Sequence, residues 1–268
     1  MIDANSGREW KGGETIMSDN DLPEAIPAAT LVIFREGAGA PELLLMERAK
    51  AMVFAGGAMV FPGGRVDAGD HALAARLGGG EETAARIAAI RETIEEAGLP
   101  VGLKERLPPA ALAAMRAGLH AGKSFAEVLA ETGAELDLEP LVPWARWLPA
   151  HAHMRRFDTR FYIAELPADA PRATVDATEN VRLVWATAQS VLDDADAGRL
   201  AIIFPTRRNL ERLAQFGSFA EAVAHARETP IHTITPWAEA RDGAQYLCIR
   251  DDAGYPVTSE PITSAMRG

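Results

Sequence analysis

The chain reads as an α/β protein, and three observations carry that reading. Leu43-Leu44-Leu45-Met46 is an unbroken apolar run of strand length, as in a strand covered on both faces. Between residues 82 and 97 the apolar Ile87, Ile90, Ile94 and Ala97 recur at helical spacing and gather on one side. Strand-like and helix-like stretches then alternate toward the end of the chain with no internal repeat or low-complexity linker, so one domain is expected.

Residues 29–34 and 43–47 are expected as strands, separated by a Gly- and Pro-containing stretch at 36–42. A third, short strand covers 59–61, and Pro62 restricts Phe61 to extended geometry. The helix over 82–97 ends at Gly98, where a left-handed cap is commonest. Residues 108–121 and 124–132 are expected helices, with Ser124 the N-cap before Phe125-Ala126-Glu127. Strand returns at 141–148, 160–166 and 181–185; Pro143 makes the first of these an edge strand or an irregular extended piece. Pro167 and Pro171 bracket a loop. Helices over 188–197, 207–216 and 219–227 follow, and 246–250 is a last strand.

The 268 residues, 48% of them hydrophobic, supply an ample core. No run of eighteen apolar residues exists, so no membrane span is expected. Residues 1–21 are polar and lack the apolar stretch of a secretory signal. Residues 1–26 are therefore expected as a disordered tail, with Met17 an alternative start. The domain is expected over 27–250, with a helical insertion around 105–138, and 251–268 as a C-terminal tail. A single cysteine, Cys248, excludes an intrachain disulfide and fits a reducing, cytoplasmic interior. The net charge of −11, from 38 acidic and 27 basic side chains, argues against a nucleic-acid partner. It also repels anionic substrates at long range, so binding a polyphosphate requires local cations.

The chemistry concentrates in Arg91-Glu92-Thr93-Ile94-Glu95-Glu96-Ala97-Gly98-Leu99, downstream of Phe61-Pro62-Gly63-Gly64. At about 100° per residue, Glu92, Glu95 and Glu96 share roughly one third of the helix circumference. Glu92 and Glu96 are a like-charge i,i+4 pair, which costs roughly 0.2–0.5 kcal/mol in an isolated helix. Arg91 lies i,i+4 from Glu95 and gives that carboxylate a local partner. Such a cluster is either a solvated acidic face or a seat for a hard divalent cation. Gly63-Gly64, likewise, is either a plain β-turn or a place of close backbone approach.

Together these residues resemble the Nudix box of the Nudix hydrolases, Gly-x5-Glu-x7-Arg-Glu-U-x-Glu-Glu-x-Gly-U, where U is bulky and apolar. Asp70 stands at the first Glu position and Thr93 at the first U. Twenty residues, not seven, separate Asp70 from Arg91, and the surplus around Leu77-Gly78-Gly79-Gly80 is read as a loop insertion. Further likeness is to the acyl-coenzyme A diphosphatase-like branch, which also carries an insertion within the box. It rests on Gly57-Ala58-Met59-Val60-Phe61-Pro62-Gly63-Gly64-Arg65-Val66-Asp67 and on Arg156-Phe157-Asp158-Thr159-Arg160-Phe161-Tyr162. Glu179 followed by Trp185, and Phe204-Pro205-Thr206, continue it in the same order, over roughly residues 27–236. A second group of coenzyme A-cleaving Nudix proteins carries an Arg where this chain has Val53, so that group's motif is not matched.

The resemblance implies an α/β/α sandwich, a mixed β-sheet between helices with extra helices added. It implies a metal-dependent hydrolase acting on a phosphorus-containing acid anhydride, with Mg²⁺ or Mn²⁺ as cofactor. Coenzyme A or acyl-coenzyme A is the implied small-molecule substrate. Glu92, Glu95 and Glu96 are then the metal carboxylates, and Arg91 orients them through Glu95. Glu92 and Glu179 are alternative general bases, Gly63 and Gly64 line the substrate, and Arg156 contacts a phosphate. Leu112 and Met115 belong either to an acyl groove or to the core face of a helix. NADH, ADP-ribose and nucleoside triphosphates share the reactive linkage and are alternative substrates. Two readings come from other classes: a nucleotide sensor without catalysis, and a prenyl diphosphate isomerase, which would need Cys248. Eukaryotic members of the branch include peroxisomal enzymes, but Ala265-Met266-Arg267-Gly268 is no peroxisomal address.

Overall fold

The centre of the molecule is a nine-stranded mixed sheet with apolar residues on both faces. The computed structural model describes residues 22–37, 39–51, 55–150, 155–175 and 180–265. The chain enters through β1 (Ala25–Arg35), β2 (Glu42–Arg48), β3 (Ala58–Val60) and β4 (Gly63–Arg65). It continues through α1 (Ala68–Arg76), α2 (Glu81–Ala97), α3 (Pro109–His120) and α4 (Phe125–Thr132). Then come β5 (Val142–Trp147), β6 (Arg156–Glu165), β7 (Asn180–Thr187), α5 (Ala188–Asp196), β8 (Ala201–Ile202), α6 (Phe204–Leu213) and α7 (Phe219–Glu228). The chain closes with β9 (Thr233–Ile234), β10 (Trp237–Arg241), β11 (Ala244–Cys248), β12 (Ser259–Pro261) and α8 (Ile262–Ala265).

The strand order is β8-β3-β2-β1-β6-β5-β9, with β4 paired to β1 and β7 paired to β2. Parallel β1–β6 and antiparallel β1–β2 pairing make the sheet mixed. Burial on both faces explains the apolar run in β2: Leu44 packs toward α2, whereas Leu43 and Leu45 pack toward α5–α7. The strand β1 alternates in the same way, with Leu31 and Ile33 on the first face and Val32 and Phe34 on the second. Ile87, Ile90, Ile94 and Ala97 are fully buried, and Gly98 caps α2 at φ 66°. Pro143 falls where the β5–β6 register shifts, between residues 143 and 145. Ser124 caps α4 by accepting a bond from the Glu127 N–H. Leu112 and Met115 are buried in the core against α2 and α4, so they are core residues and line no acyl groove.

Three expectations need correction. The surplus between Asp70 and Arg91, expected as a loop insertion around Leu77-Gly78-Gly79-Gly80, is in part helical: α1 runs to Arg76, and Leu73 and Ala74 pack into the core beside α2. The plain-turn reading of Gly63-Gly64 gives way to the close-approach one: both are paired in a strand opposite Thr30 and Ala29. The stretch after residue 250 is no tail among the described residues. Tyr255 is buried, accepting from the Trp147 indole at 2.9 Å and donating to Asn209 Oδ1 at 3.0 Å, and β12 pairs with β11. Helix α6 also begins three residues earlier than expected, with Pro205 in its first turn, where the missing N–H costs nothing. No helix among the described residues is long and apolar enough to cross a membrane.

Candidate active site

Three segments far apart in sequence meet at the C-terminal half of α2. Glu96, almost wholly buried, accepts a bond from the Gly63 N–H of β4 at 2.9 Å through one carboxylate oxygen. Its other oxygen accepts from the Asn180 amide of β7 at 3.1 Å. Asn180 pairs with Arg48 at the end of β2, and the Arg48 charge acts on Glu96 from that side. Glu92 lies one helical turn back, packed onto Gly64: a Cβ on residue 64 would stand 2.4 Å from its carboxylate. Close approach thus explains the glycine pair, since any side chain at either position strikes a neighbour.

Arg91 organises the other flank. Its guanidinium reaches Asp70 through Nε and Nη2 (3.0–3.3 Å), Glu92 through Nη1 (2.8 Å) and the Arg65 carbonyl through Nη2 (2.8 Å). Glu95, expected as its main partner, is farther at 3.5 Å and the most exposed of the three glutamates. The short Asp70 side chain, which stands at the first Glu position of the family pattern, is buried between Arg91 and the Asp67 N–H at 2.9 Å. It therefore acts by holding Arg91. Burial alone would lower the Arg91 pKa, but Glu92 and Asp70 outweigh it and keep the group firmly charged.

The electrostatics of the two inner glutamates differ from ordinary carboxylates. Burial pushes Glu92 up to about 7, with Arg91 opposing the shift and Glu95 adding to it. Burial, reinforced by Glu92, pushes Glu96 up to about 8, against the Gly63 N–H, the Asn180 amide and Arg48. Two buried acids one turn apart are under-neutralised by the protein itself. At the same helix end, Arg116 of α3 donates to the carbonyls of Glu95 (2.8 Å) and Glu96 (2.9 Å), a cation at a helix C-terminus.

The remaining expected site residues divide. Arg156 is buried and donates to the carbonyls of Pro149 and Pro23, which gives it an anchoring part at the start of β6 instead of a phosphate contact. Glu179 and Val53 lie outside the described residues. Thr93, at a position where the family pattern is apolar, is fully buried with its hydroxyl donated to the Ala89 carbonyl at 2.8 Å. Sequence reasoning missed Arg48, Asn180 and Arg116. Only Asn180 carried a signal, as the neighbour of Glu179 in a motif already noticed.

A profile of the NUDT19 Nudix domain matches residues 79–213, which include the whole of α2, Asn180 and Trp185. The chain belongs to this Nudix family. The solved NUDIX hydrolase of Alicyclobacillus acidocaldarius superposes with a TM-score of 0.64 at 28% identity, covering 75% of this chain and 96% of that one. The acyl-coenzyme A diphosphatase NUDT19 of Gallus gallus is 26% identical over 80% of this chain and 73% of its own length. A Caenorhabditis elegans protein carrying the name nudix hydrolase 7 is 30% identical over 65% of this chain. The chain spans 56% of that relative's length.

Proposed function

We propose that the chain is a divalent-cation-dependent diphosphatase that splits coenzyme A or acyl-coenzyme A at the diphosphate. The products would be 3′,5′-adenosine diphosphate and (acyl-)phosphopantetheine. The observation that carries this reading is the pairing of Glu92 and Glu96, buried, raised in pKa and drawn against the Gly63-Gly64 backbone. The donor set fits Mg²⁺ or Mn²⁺, since it is all oxygen and under-neutralised. Among the described residues no three acidic, histidine or cysteine side chains converge as a closed metal cage. A hard cation held by one or two carboxylates plus substrate phosphates needs no such cage.

When bound, the cation neutralises phosphate charge and acidifies water. The protein's own groups do the rest. Gly63 and Asn180 fix the Glu96 carboxylate, and Arg91, locked by Asp70, fixes Glu92. Glu95 at the rim is the third candidate ligand. Glu92 and Glu179 compete as the base that takes the proton of the attacking water, and the raised pKa of Glu92 suits that task. The names of the NUDT19 relatives support the substrate class.

The test is a panel of coenzyme A, acyl-coenzyme A, NADH, ADP-ribose and nucleoside triphosphates, with and without Mg²⁺ or Mn²⁺, read by product mass. Cation-dependent release of 3′,5′-adenosine diphosphate is expected, and Glu96→Gln should lose it by about 10²-fold or more with the fold retained. Near-normal turnover in Glu96→Gln refutes the role of that carboxylate; cleavage of another compound alone refutes the substrate.

A further inference from the structure

A groove of about 1030 Å³ lies on the α2 face of the sheet, beyond the acid cluster. Its floor is Leu183 and Trp185 of β7, and its wall is the loop at 166–173, including Leu166, Pro167 and Pro171. The β2–β7 register slips near the strand start: Glu47 faces Arg182 but Arg48 faces Asn180. One residue is skipped, so Asn180, Leu183 and Trp185 share one face of the sheet instead of alternating. Met46 and Leu44, opposite Leu183 and Trp185, stand two and four residues from Arg48. At about 3.3 Å per residue, the floor begins roughly 7 Å and extends roughly 13 Å from the Glu96–Asn180 contact. The wall is fastened to the same place: the Thr174 N–H donates to the Ala97 carbonyl at 2.9 Å, and Arg116 bonds both Thr174 and Glu96 carbonyls.

The lining decides what fits. The Arg35 guanidinium lies 4.4 Å over the Trp185 ring and is ion-paired with Glu42, which holds the indole as a fixed apolar surface. The charged lining residues are Arg35, Arg172, Glu36 and Glu165, two of each sign, so the groove exerts no net pull on an anion. Its walls are otherwise leucine, proline, alanine and tryptophan. A nucleoside bisphosphate needs a surplus of cations; an uncharged, elongated chain needs apolar walls next to the diphosphate. We infer that this groove receives the acyl-pantetheine arm of a coenzyme A thioester, with the nucleotide leaving on the other side of the acid cluster. This rests on the coenzyme A reading above and adds which part of the substrate lies where.

Two variants test it on the full chain: Trp185→Ala, which removes the floor, and Ala168→Trp at an exposed wall position, which narrows the groove without disturbing the core. The ratio of kcat/KM for lauroyl-coenzyme A to that for free coenzyme A should fall about tenfold in each, carried by KM. An unchanged ratio in both variants overturns the inference. A titration of metal-free protein with S-lauroyl-pantetheine, which has no phosphate, separates the two readings. Binding by the wild type, weakened at least about fivefold in both variants, supports the groove even where coenzyme A turnover is absent and the diphosphatase reading has failed. No binding, or equal binding by all three proteins, overturns the groove while leaving the diphosphatase reading intact.

Discussion

Replacing each of the two neighbouring glycines by alanine should break the protein in different ways. A Cβ on residue 64 would stand 2.4 Å from Glu92 Oε1 and 2.5 Å from its Cδ, about 1 Å short of ordinary contact. What it strikes is the end of a flexible side chain, so Glu92 swings away and the backbone stays. A misplacement of about 1 Å in a catalytic group costs about 10²-fold in rate. A Cβ on residue 63 would instead stand 2.4 Å from the Ala29 carbonyl oxygen and 2.8 Å from the Thr30 Cα, which are backbone atoms of the neighbouring β1. That strand cannot yield without disturbing the sheet. Gly64→Ala should therefore lower cation-dependent kcat/KM on coenzyme A by about 10²-fold with little change in melting temperature. Gly63→Ala should lower the melting temperature itself. Steady-state kinetics beside calorimetric unfolding reads both. A Gly64→Ala protein with wild-type kcat/KM would refute the claim that Glu92 must sit on this backbone.

Three further outcomes follow from the same geometry. Asp70→Ala leaves the Arg91 charge paired with Glu92 but takes the partner from its Nε, and should destabilise the fold by about 1–3 kcal/mol; a chemical-denaturation loss below about 0.5 kcal/mol would show that Arg91 does not depend on it. Glu92 and Glu96 have folded pKa values raised from 4.5 to about 7 and about 8, so between pH 4.5 and 8 the folded state binds more protons than the unfolded one. Stability of the metal-free protein should then fall as pH rises through that window, and Mg²⁺ should restore more at pH 8 than at pH 5. Melting curves of wild type and Glu96→Gln check this, and equal pH slopes in the two proteins would count against it. Cys248 is buried in β11, paired between Trp237 and Ser259, so Cys248→Ser should keep full turnover; loss of turnover with the fold intact would revive the isomerase reading.

The parts of the protein legible in its sequence are those governed by local spacing. The acidic side of α2, its apolar side and its Gly98 cap follow from a period of 3.6 and from the backbone freedom of glycine, and the doubly buried β2 from its unbroken apolar run. The short helix α1 escaped because only Leu73 and Ala74 mark its buried side, too few to outweigh the glycines that follow. The Arg156 expectation failed for a different reason: a sequence gives an arginine's charge but not the carbonyls that occupy it.

By itself, then, the sequence determined that three carboxylates share one helical turn after a glycine pair, because both features depend on neighbours within a few residues. Only the tertiary structure decided which carboxylates are buried and what holds them. Glu96 meets Gly63 from 33 residues upstream and Asn180 from 84 downstream, and Arg91 meets Asp70 across 21 residues. Those contacts arise from the stacking of β4, β7 and α1 around α2. Burial by distant segments raises the acids' pKa values, and helical periodicity carries no information about it.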